Sequence, residues 1–192
     1  RFSVSGMALT LLGGLLVAVA AGLVAFVIRT AISFSIPMVL PAVAGGVVGY
    51  FTMRLASGIG RCRNPALAIG TAAVVGAVAW GSSHVYDYLY FQWTAFNEVK
   101  SSVPHADIVT FERAVDEYLA SETGVGGFVG YMLLKAEGSS VEFGYIGQSG
   151  NAISGTGITG FGLILYWLFE VMMSAGLAVI IAERVVRKEL RT

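Results

Sequence analysis

The chain has 192 residues, of which 56% are hydrophobic and only 12% are charged, and its twelve basic and twelve acidic side chains cancel to a net charge of zero. A soluble domain carries roughly 25% charged residues, because water must solvate its surface. The composition therefore excludes a free globular enzyme, a nucleic-acid-binding domain and a disordered chain, and it predicts an integral membrane protein.

Residue 1 is Arg rather than Met, so we expect further residues upstream of the first apolar segment. That segment is too long for the apolar core of a cleaved signal peptide, which runs roughly 7–15 residues. Cys62 is the single cysteine, so no disulfide forms within the chain. Its neighbours Arg61 and Arg63 favour a thiolate and a site of acylation, although a surface thiol without a role is the commoner case.

Four segments are apolar over about 20 residues, the length that crosses about 30 Å of hydrocarbon. The predicted transmembrane helices cover residues 7–28, 36–53, 66–86 and 158–182. Pro37 and Pro41 are tolerated near the start of the second helix, because amides in a first helical turn lack helical acceptors. Asn64 followed by Pro65 predicts the cap and the first residue of the third helix.

Basic residues concentrate in the loop before the third helix and in the tail after the fourth, where they comprise Arg54, Arg61, Arg63, Arg184, Arg187, Lys188 and Arg191. Segment 87–157 instead holds nine acids against three bases, a net charge of −6. Because Lys and Arg favour the cytoplasmic side of short loops, we expect both termini in the cytoplasm. Residues 87–157 then form an acidic periplasmic or extracellular insertion, and 158–192 form the fourth helix and a basic cytoplasmic tail.

An aromatic cluster follows the third apolar segment and consists of Trp80, Tyr86, Tyr88, Tyr90, Phe91 and Trp93. Trp and Tyr favour the membrane–water interface, where the ring meets lipid and the polar tip meets water. Two interpretations stay open: the cluster marks the outer leaflet, or it covers the core of the insertion.

Small residues recur at four-residue spacing in every predicted span. Lipid tails are as apolar as Leu, so close backbone approach at small residues holds membrane helices together. The predicted packing positions are Gly14, Ala18, Gly22, Gly45, Gly49, Ala72 and Gly76, with Ser174, Ala178 and Ala182 on the fourth helix. They predict a tight bundle, or contacts with partner chains.

The insertion begins with a predicted amphipathic helix at 106–122, in which Asp107 lies in the first turn and Gly124 follows as a stop signal. Its apolar face comprises Ile108, Phe111, Val115, Tyr118 and Leu119. The runs 128–136 and 141–146 flank a short polar link and predict a β-hairpin. The sequence thus predicts an all-α membrane protein, a four-helix bundle with a small α/β insertion between helices 3 and 4.

Glu170 lies in the middle of the fourth span, where a charge costs roughly 2.5–3.5 kcal/mol on insertion scales. It persists there if it faces a cavity, is paired or is protonated. One interpretation is an ion or proton relay, with Thr71 and Ser174 as weak further stations. The other is a protonated carboxyl that bonds a neighbouring helix or a partner subunit. We expect no Lys, Arg or His at matching depth in the other spans.

His84 and Asp87 are three residues apart near the outer end of the third helix, a spacing that places two ligands on one helical face. Two residues do not make a metal site, although His105 and Glu98 are candidates to complete one, and an interfacial hydrogen-bonding pair is the commoner outcome. Both histidines should lie outside the bilayer core, which argues against intramembrane haem ligation. No catalytic constellation or nucleotide fingerprint is present, so the sequence gives no positive support for enzyme activity, and it leaves the cofactor unknown.

The turn Arg61 to Pro65, the Ala/Gly-rich helix after it and the run Tyr166 to Glu170 resemble uncharacterised bacterial multi-span inner-membrane proteins. The resemblance implies a bacterial inner membrane, but those proteins have no known activity that it could imply for this chain. We therefore hold two functional hypotheses. The first is an accessory or scaffold subunit of a larger membrane complex, with lipid and other membrane subunits, or a second copy, as its partners and with no role for nucleic acid. The second is a small transporter or an ion- or proton-conducting protein that uses Glu170.

Overall fold

The computed structural model describes residues 4–32, 39–58, 65–138 and 160–189. They form six helices: α1 (Val4–Ile32), α2 (Val39–Gly58), α3 (Pro65–Ser102), α4 (Ile108–Thr123), α5 (Gly127–Gly138) and α6 (Phe161–Glu189). Helices account for nearly all of these residues, and none of the described ranges forms a strand.

Four of the helices, α1, α2, α3 and α6, are long and apolar enough to cross a membrane. The prediction of four such helices, in a multi-pass membrane protein, is confirmed at this level. α3 begins at Pro65, as predicted, but it continues without a break to Ser102 instead of ending near residue 86. Its 38 residues span about 57 Å, nearly twice the thickness of the hydrocarbon core of a bilayer.

The chain divides into two compact units. The first unit comprises Arg1–Asp87 with Phe169–Thr192, and the second comprises Tyr88–Leu168. The first unit therefore holds α1, α2, the amino-terminal part of α3 and most of α6. The second holds the rest of α3, both short helices and the first two turns of α6.

Glycine positions define how the helices of the first unit pack. A Cβ placed on Gly14 would lie 3.1 Å from both Thr52 of α2 and Val75 of α3, and one placed on Gly22 would lie 2.8 Å from the carbonyl of Ala79. A Cβ on Gly45 would meet the α6 backbone at Ser174. α1 therefore contacts α2 and α3, while α2 contacts α6.

α3 also contacts α6, so each of the four long helices in the first unit contacts two others. A Cβ on Gly76 would lie 3.0 Å from the Cα of Ala175, and the Ser174 hydroxyl donates a 2.8 Å hydrogen bond to the carbonyl of Gly76. Gly49 faces the α6 backbone at Ala178, one turn beyond the Gly45 contact. The residue order along these contacts makes α1 parallel to α3 and α2 parallel to α6. α3 and α6 are antiparallel, since Gly76 meets Ser174 while Trp80 meets Glu170. Consecutive spans along the chain therefore alternate in direction.

Small side chains fill the centre of the first unit, and large ones face outward. Ala18 and Ala72 are fully buried, whereas Leu16 and Met172 are 74% and 61% exposed. The two buried clusters comprise Ala18, Val48, Val75 and Ala79, and Met53, Ala56, Ala68, Ala72, Ala178 and Ala182. This distribution suits a protein in lipid, where close backbone approach stabilises helix contacts and large apolar side chains face hydrocarbon.

In the second unit, α4 lies close to the predicted amphipathic helix at 106–122, but it begins at Ile108, so Asp107 precedes the first turn instead of lying within it. Asp107 is the N-cap and accepts hydrogen bonds from the amide and hydroxyl of Thr110, both at 3.1 Å. Gly124 ends the helix with a φ of 78°, a left-handed conformation that favours glycine. Leu119 of the predicted apolar face is fully buried, whereas Ile108 and Tyr118 are half exposed.

The predicted β-hairpin is wrong in its first strand, because residues 128–136 lie inside α5. This run is rich in Leu, Met, Lys and Ala, which favour a helix, and a short apolar run does not by itself distinguish strand from helix. Gly130 lets α5 approach α4, since a Cβ there would lie 3.1 Å from the Cβ of Leu119 and would also meet the carbonyl of Val125 in the link between the two helices. The second run, 141–146, lies outside the described residues, and the described part of the insertion is helical.

Some members of the aromatic cluster pack in the core of the insertion, as one interpretation predicts, and others are exposed, as the membrane-interface interpretation predicts. Tyr88 and Phe91 pack on Tyr131 of α5, with ring centroids 5.3 and 5.2 Å apart, so they belong to the core of the second unit. Tyr90 and Trp93 instead stack on each other, and 61% of Trp93 is exposed.

Candidate functional site

Polar side chains gather at one place inside the first unit, among helices that are otherwise apolar. α3 contributes Trp80, His84 and Asp87, α1 contributes Arg29, and α6 contributes Glu170. His84 and Glu170 are 3% and 8% exposed. Titratable groups buried to this degree are rare in membrane segments, so the cluster is the candidate functional site.

Glu170 is held from α3 by two side chains. The Trp80 indole Nε1 donates a 3.1 Å hydrogen bond to Glu170 Oε2, and His84 Nε2 lies 3.9 Å from the same oxygen. Residues 80 and 84 are one helical turn apart, so their rings lie on the same face of α3, with centroids 4.5 Å apart. One carboxylate oxygen therefore faces both an N–H donor and a titratable imidazole.

An ion pair between α1 and α3 lies beside this contact. Arg29 Nη2 is 2.5 Å from Asp87 Oδ2, and the two side chains are 28% and 14% exposed. The same nitrogen is 3.5 Å from the carbonyl of Ser83. Arg29 is the one charged residue of α1 and lies near its end. The pair therefore joins the end of α1 to α3, and each charge compensates the other in a partly buried position.

The polar groups surround a small cavity of about 30 Å³. Its polar wall comprises Arg29, Trp80, Ser83, His84 and Glu170, and its apolar wall comprises Ala25, Leu40, Pro41, Ala44 and Ala79. A cavity needs roughly 10–15 Å³ to accept one water molecule, so this one accommodates one or two. The site can therefore hold a proton on a carboxyl or an imidazole and pass it through a bound water.

The prediction that no basic side chain shares the depth of Glu170 is wrong, because His84 does. Counting along an apolar run places Glu170 at its centre, but α6 begins at Phe161, and Glu170 is only its tenth residue. His84 is the twentieth residue of α3. The pairing depends on how far the two helices are shifted along each other.

The predicted relay stations and metal ligands have other contacts. Thr71 donates to the carbonyl of Leu67 in its own helix, and Ser174 donates to Gly76, so neither hydroxyl is directed at Glu170. His84 faces Glu170 while Asp87 pairs with Arg29. In the part of the chain that the structure describes, no three His, Cys, Asp or Glu side chains come together as metal ligands.

The remaining sequence candidates lie elsewhere. Glu98 and His105 are exposed residues of the second unit. Cys62 and its flanking arginines lie outside the described residues.

Sequence reasoning missed the roles of Arg29 and Trp80. Arg29 looks like the charge that ends the first span, and Trp80 looks like a member of the interfacial aromatic cluster. A signal for Trp80 was present, since Trp80, His84 and Asp87 repeat at four- and three-residue spacing on one face of α3. Comparison with protein-family models, with curated proteins and with solved structures finds no match to this chain.

Proposed function

We propose that this chain is a multi-pass protein of a bacterial inner membrane that conducts protons through the Glu170 site. One observation carries the proposal: a buried carboxylate on one candidate span faces a buried imidazole on another across 3.9 Å, beside a water-sized cavity. An ionisable side chain inside a membrane segment is expensive, and it persists where it faces a partner or a cavity.

The pair offers two arrangements of one proton. Either Glu170 is protonated beside a neutral His84, or a Glu170 carboxylate faces a His84 imidazolium. The Trp80 hydrogen bond suits both arrangements, because each leaves a lone pair on Oε2 to accept it. Burial disfavours isolated charges, whereas mutual attraction favours the ion pair, so the two effects act in opposite directions on the position of the proton.

The test is proton flux in proteoliposomes under an imposed membrane potential, measured with an enclosed pH-sensitive dye. Glu170→Gln keeps the size of the side chain and an oxygen for the Trp80 hydrogen bond but removes the carboxyl group that can release and take up a proton. We expect flux to fall at least tenfold in this variant. The matched control is Glu183→Gln at a more exposed position of the same helix, which should leave flux unchanged. Wild-type flux in a folded Glu170→Gln protein would refute the proposal.

We also propose that both termini face the cytoplasm and that 87–157 face the periplasm or cell exterior. The concentration of Lys and Arg in the loop around Arg61 and in the tail supports this orientation. A membrane-impermeant maleimide should fail to label Cys62 in intact cells and should label it after permeabilisation. In a Cys62→Ser background, His105→Cys should label in intact cells. The opposite pattern would invert the topology.

A second candidate function is an accessory or scaffold subunit that binds other membrane subunits or a second copy. Its support is the second unit, where apolar side chains 45–58% exposed include Val103, Ile108, Val109, Val125 and Val129. Such a surface is typical of a region that a partner covers. Purification in mild detergent should then yield a stoichiometric complex. A monomer with intact proton flux would exclude this candidate.

A further inference from the structure

An apolar groove runs between α1 and α2 in the first unit, with a volume of about 330 Å³. Val17, Val24 and Ile28 line it from α1, and Val43, Val47 and Phe51 line it from α2. Its walls are almost wholly hydrocarbon. The volume is at the lower limit of small-molecule sites, which measure roughly 300–1,000 Å³, so the groove suits one chain rather than a bulky ligand.

The groove adjoins the polar cavity of Glu170. Three residues, Ala25, Leu40 and Ala44, line both spaces. Two of them are alanines, so little side-chain volume separates the apolar space from the polar one. An apolar groove that borders a small polar cavity matches the polarity of an amphiphile.

The charges at the polar end restrict the head group. Arg29 is already paired with Asp87, and His84 already faces Glu170, so an anionic head would find both basic side chains engaged by acids. A cationic head would meet the Arg29 guanidinium on the same wall. The cavity of about 30 Å³ excludes a phosphate or a sugar and admits a group of the size of a water molecule. A hydroxyl satisfies these conditions, since it both donates to a carboxylate and accepts from a cation.

We propose that the groove and cavity together bind a long-chain alcohol, with its hydrocarbon chain between α1 and α2 and its hydroxyl beside Glu170. The inference shares the cavity of the proposed function but does not require a proton to move. Alcohol binding without proton flux would refute the proposed function alone, and proton flux without alcohol binding would refute this inference alone.

The probe is 4-bromohexadecanol, whose bromine lies on the hydrocarbon side of the hydroxyl, in the groove, and quenches a nearby tryptophan. The protein carries Trp93→Phe and Trp167→Phe, so Trp80 is the single fluorophore, and it is held in phosphatidylcholine nanodiscs. We expect saturable quenching that unlabelled hexadecanol reverses. Quenching that does not saturate or is not reversed would overturn the proposal, and this arm needs no variant of the groove or cavity.

Ala44→Leu places a larger side chain where the groove meets the cavity and should weaken the apparent affinity at least tenfold. The matched control is Ala8→Leu on an exposed part of α1, which should retain the wild-type affinity. Equal affinity in the two folded variants would overturn the proposal. Brominated phosphatidylcholine is the last arm: if it quenches Trp80 as strongly as the alcohol at equal mole fraction, bulk lipid fills the groove and the proposal fails.

Discussion

Gly45→Ala should destabilise the first unit, because α2 and α6 are already in backbone contact at this position. A Cβ built on Gly45 would lie 2.7 Å from both the Cα and the carbonyl carbon of Ser174, and closer still to the carbonyl oxygen. None of these atoms is the flexible end of a side chain. The helices must therefore separate, and they would separate beside the Ser174–Gly76 hydrogen bond that joins α6 to α3.

The magnitude follows from the size of the overlap. Ordinary carbon–carbon contacts are about 3.5–4.0 Å, so the backbones must move apart by about 1 Å. Forcing one methyl into a well-packed contact costs about 1–3 kcal/mol, and the weaker dispersion attraction between the separated helices adds to this cost. The better helix propensity of Ala offsets at most about 1 kcal/mol.

The assay is reversible unfolding in mixed micelles titrated with dodecyl sulfate and followed by circular dichroism. Gly176→Ala is the matched control, because a Cβ at that position of α6 has no atom within 4 Å. The control should be unchanged or more stable by up to about 1 kcal/mol. If Gly45→Ala is as stable as Gly176→Ala, the close α2–α6 approach described above is refuted.

Two further predictions concern polar contacts. A double-mutant cycle on Arg29→Ala and Asp87→Ala should give a coupling energy of about 1–3 kcal/mol, since the pair is mostly buried, and the exposed Glu183–Arg187 pair should give at most about 0.5 kcal/mol. Equal coupling energies in the two cycles would show that burial does not strengthen the Arg29–Asp87 ion pair. Asp107→Ala removes the N-cap of α4 and should lower its local stability by about 1 kcal/mol, measured by amide hydrogen exchange, whereas the exposed Glu117→Ala should change it by less than about 0.5 kcal/mol. Unchanged exchange in α4 of the Asp107 variant would contradict the capping role.

The extent to which the fold is predictable from the sequence depends on how local the signal is. Spans follow from runs of apolar residues, and Pro65, Asp107 and Gly124 mark helix ends within one or two residues, because capping acts over a single turn. The α5 region shows the limit. Its apolar run fits a strand or a helix, and nothing in the run itself records that Gly130 packs against the end of α4.

Four helices suited to a membrane, and an anomalous charge at Glu170 within one of them, can be recognised from the sequence. Composition and apolar length suffice for both, because the bilayer acts as a solvent on each segment separately. The contacts of Glu170 with His84 and Trp80, and of Arg29 with Asp87, are evident only from the packing of the helices. Those pairings depend on the axial shift between helices, which the close contacts at Gly22, Gly45 and Gly76 set through residues distant in sequence.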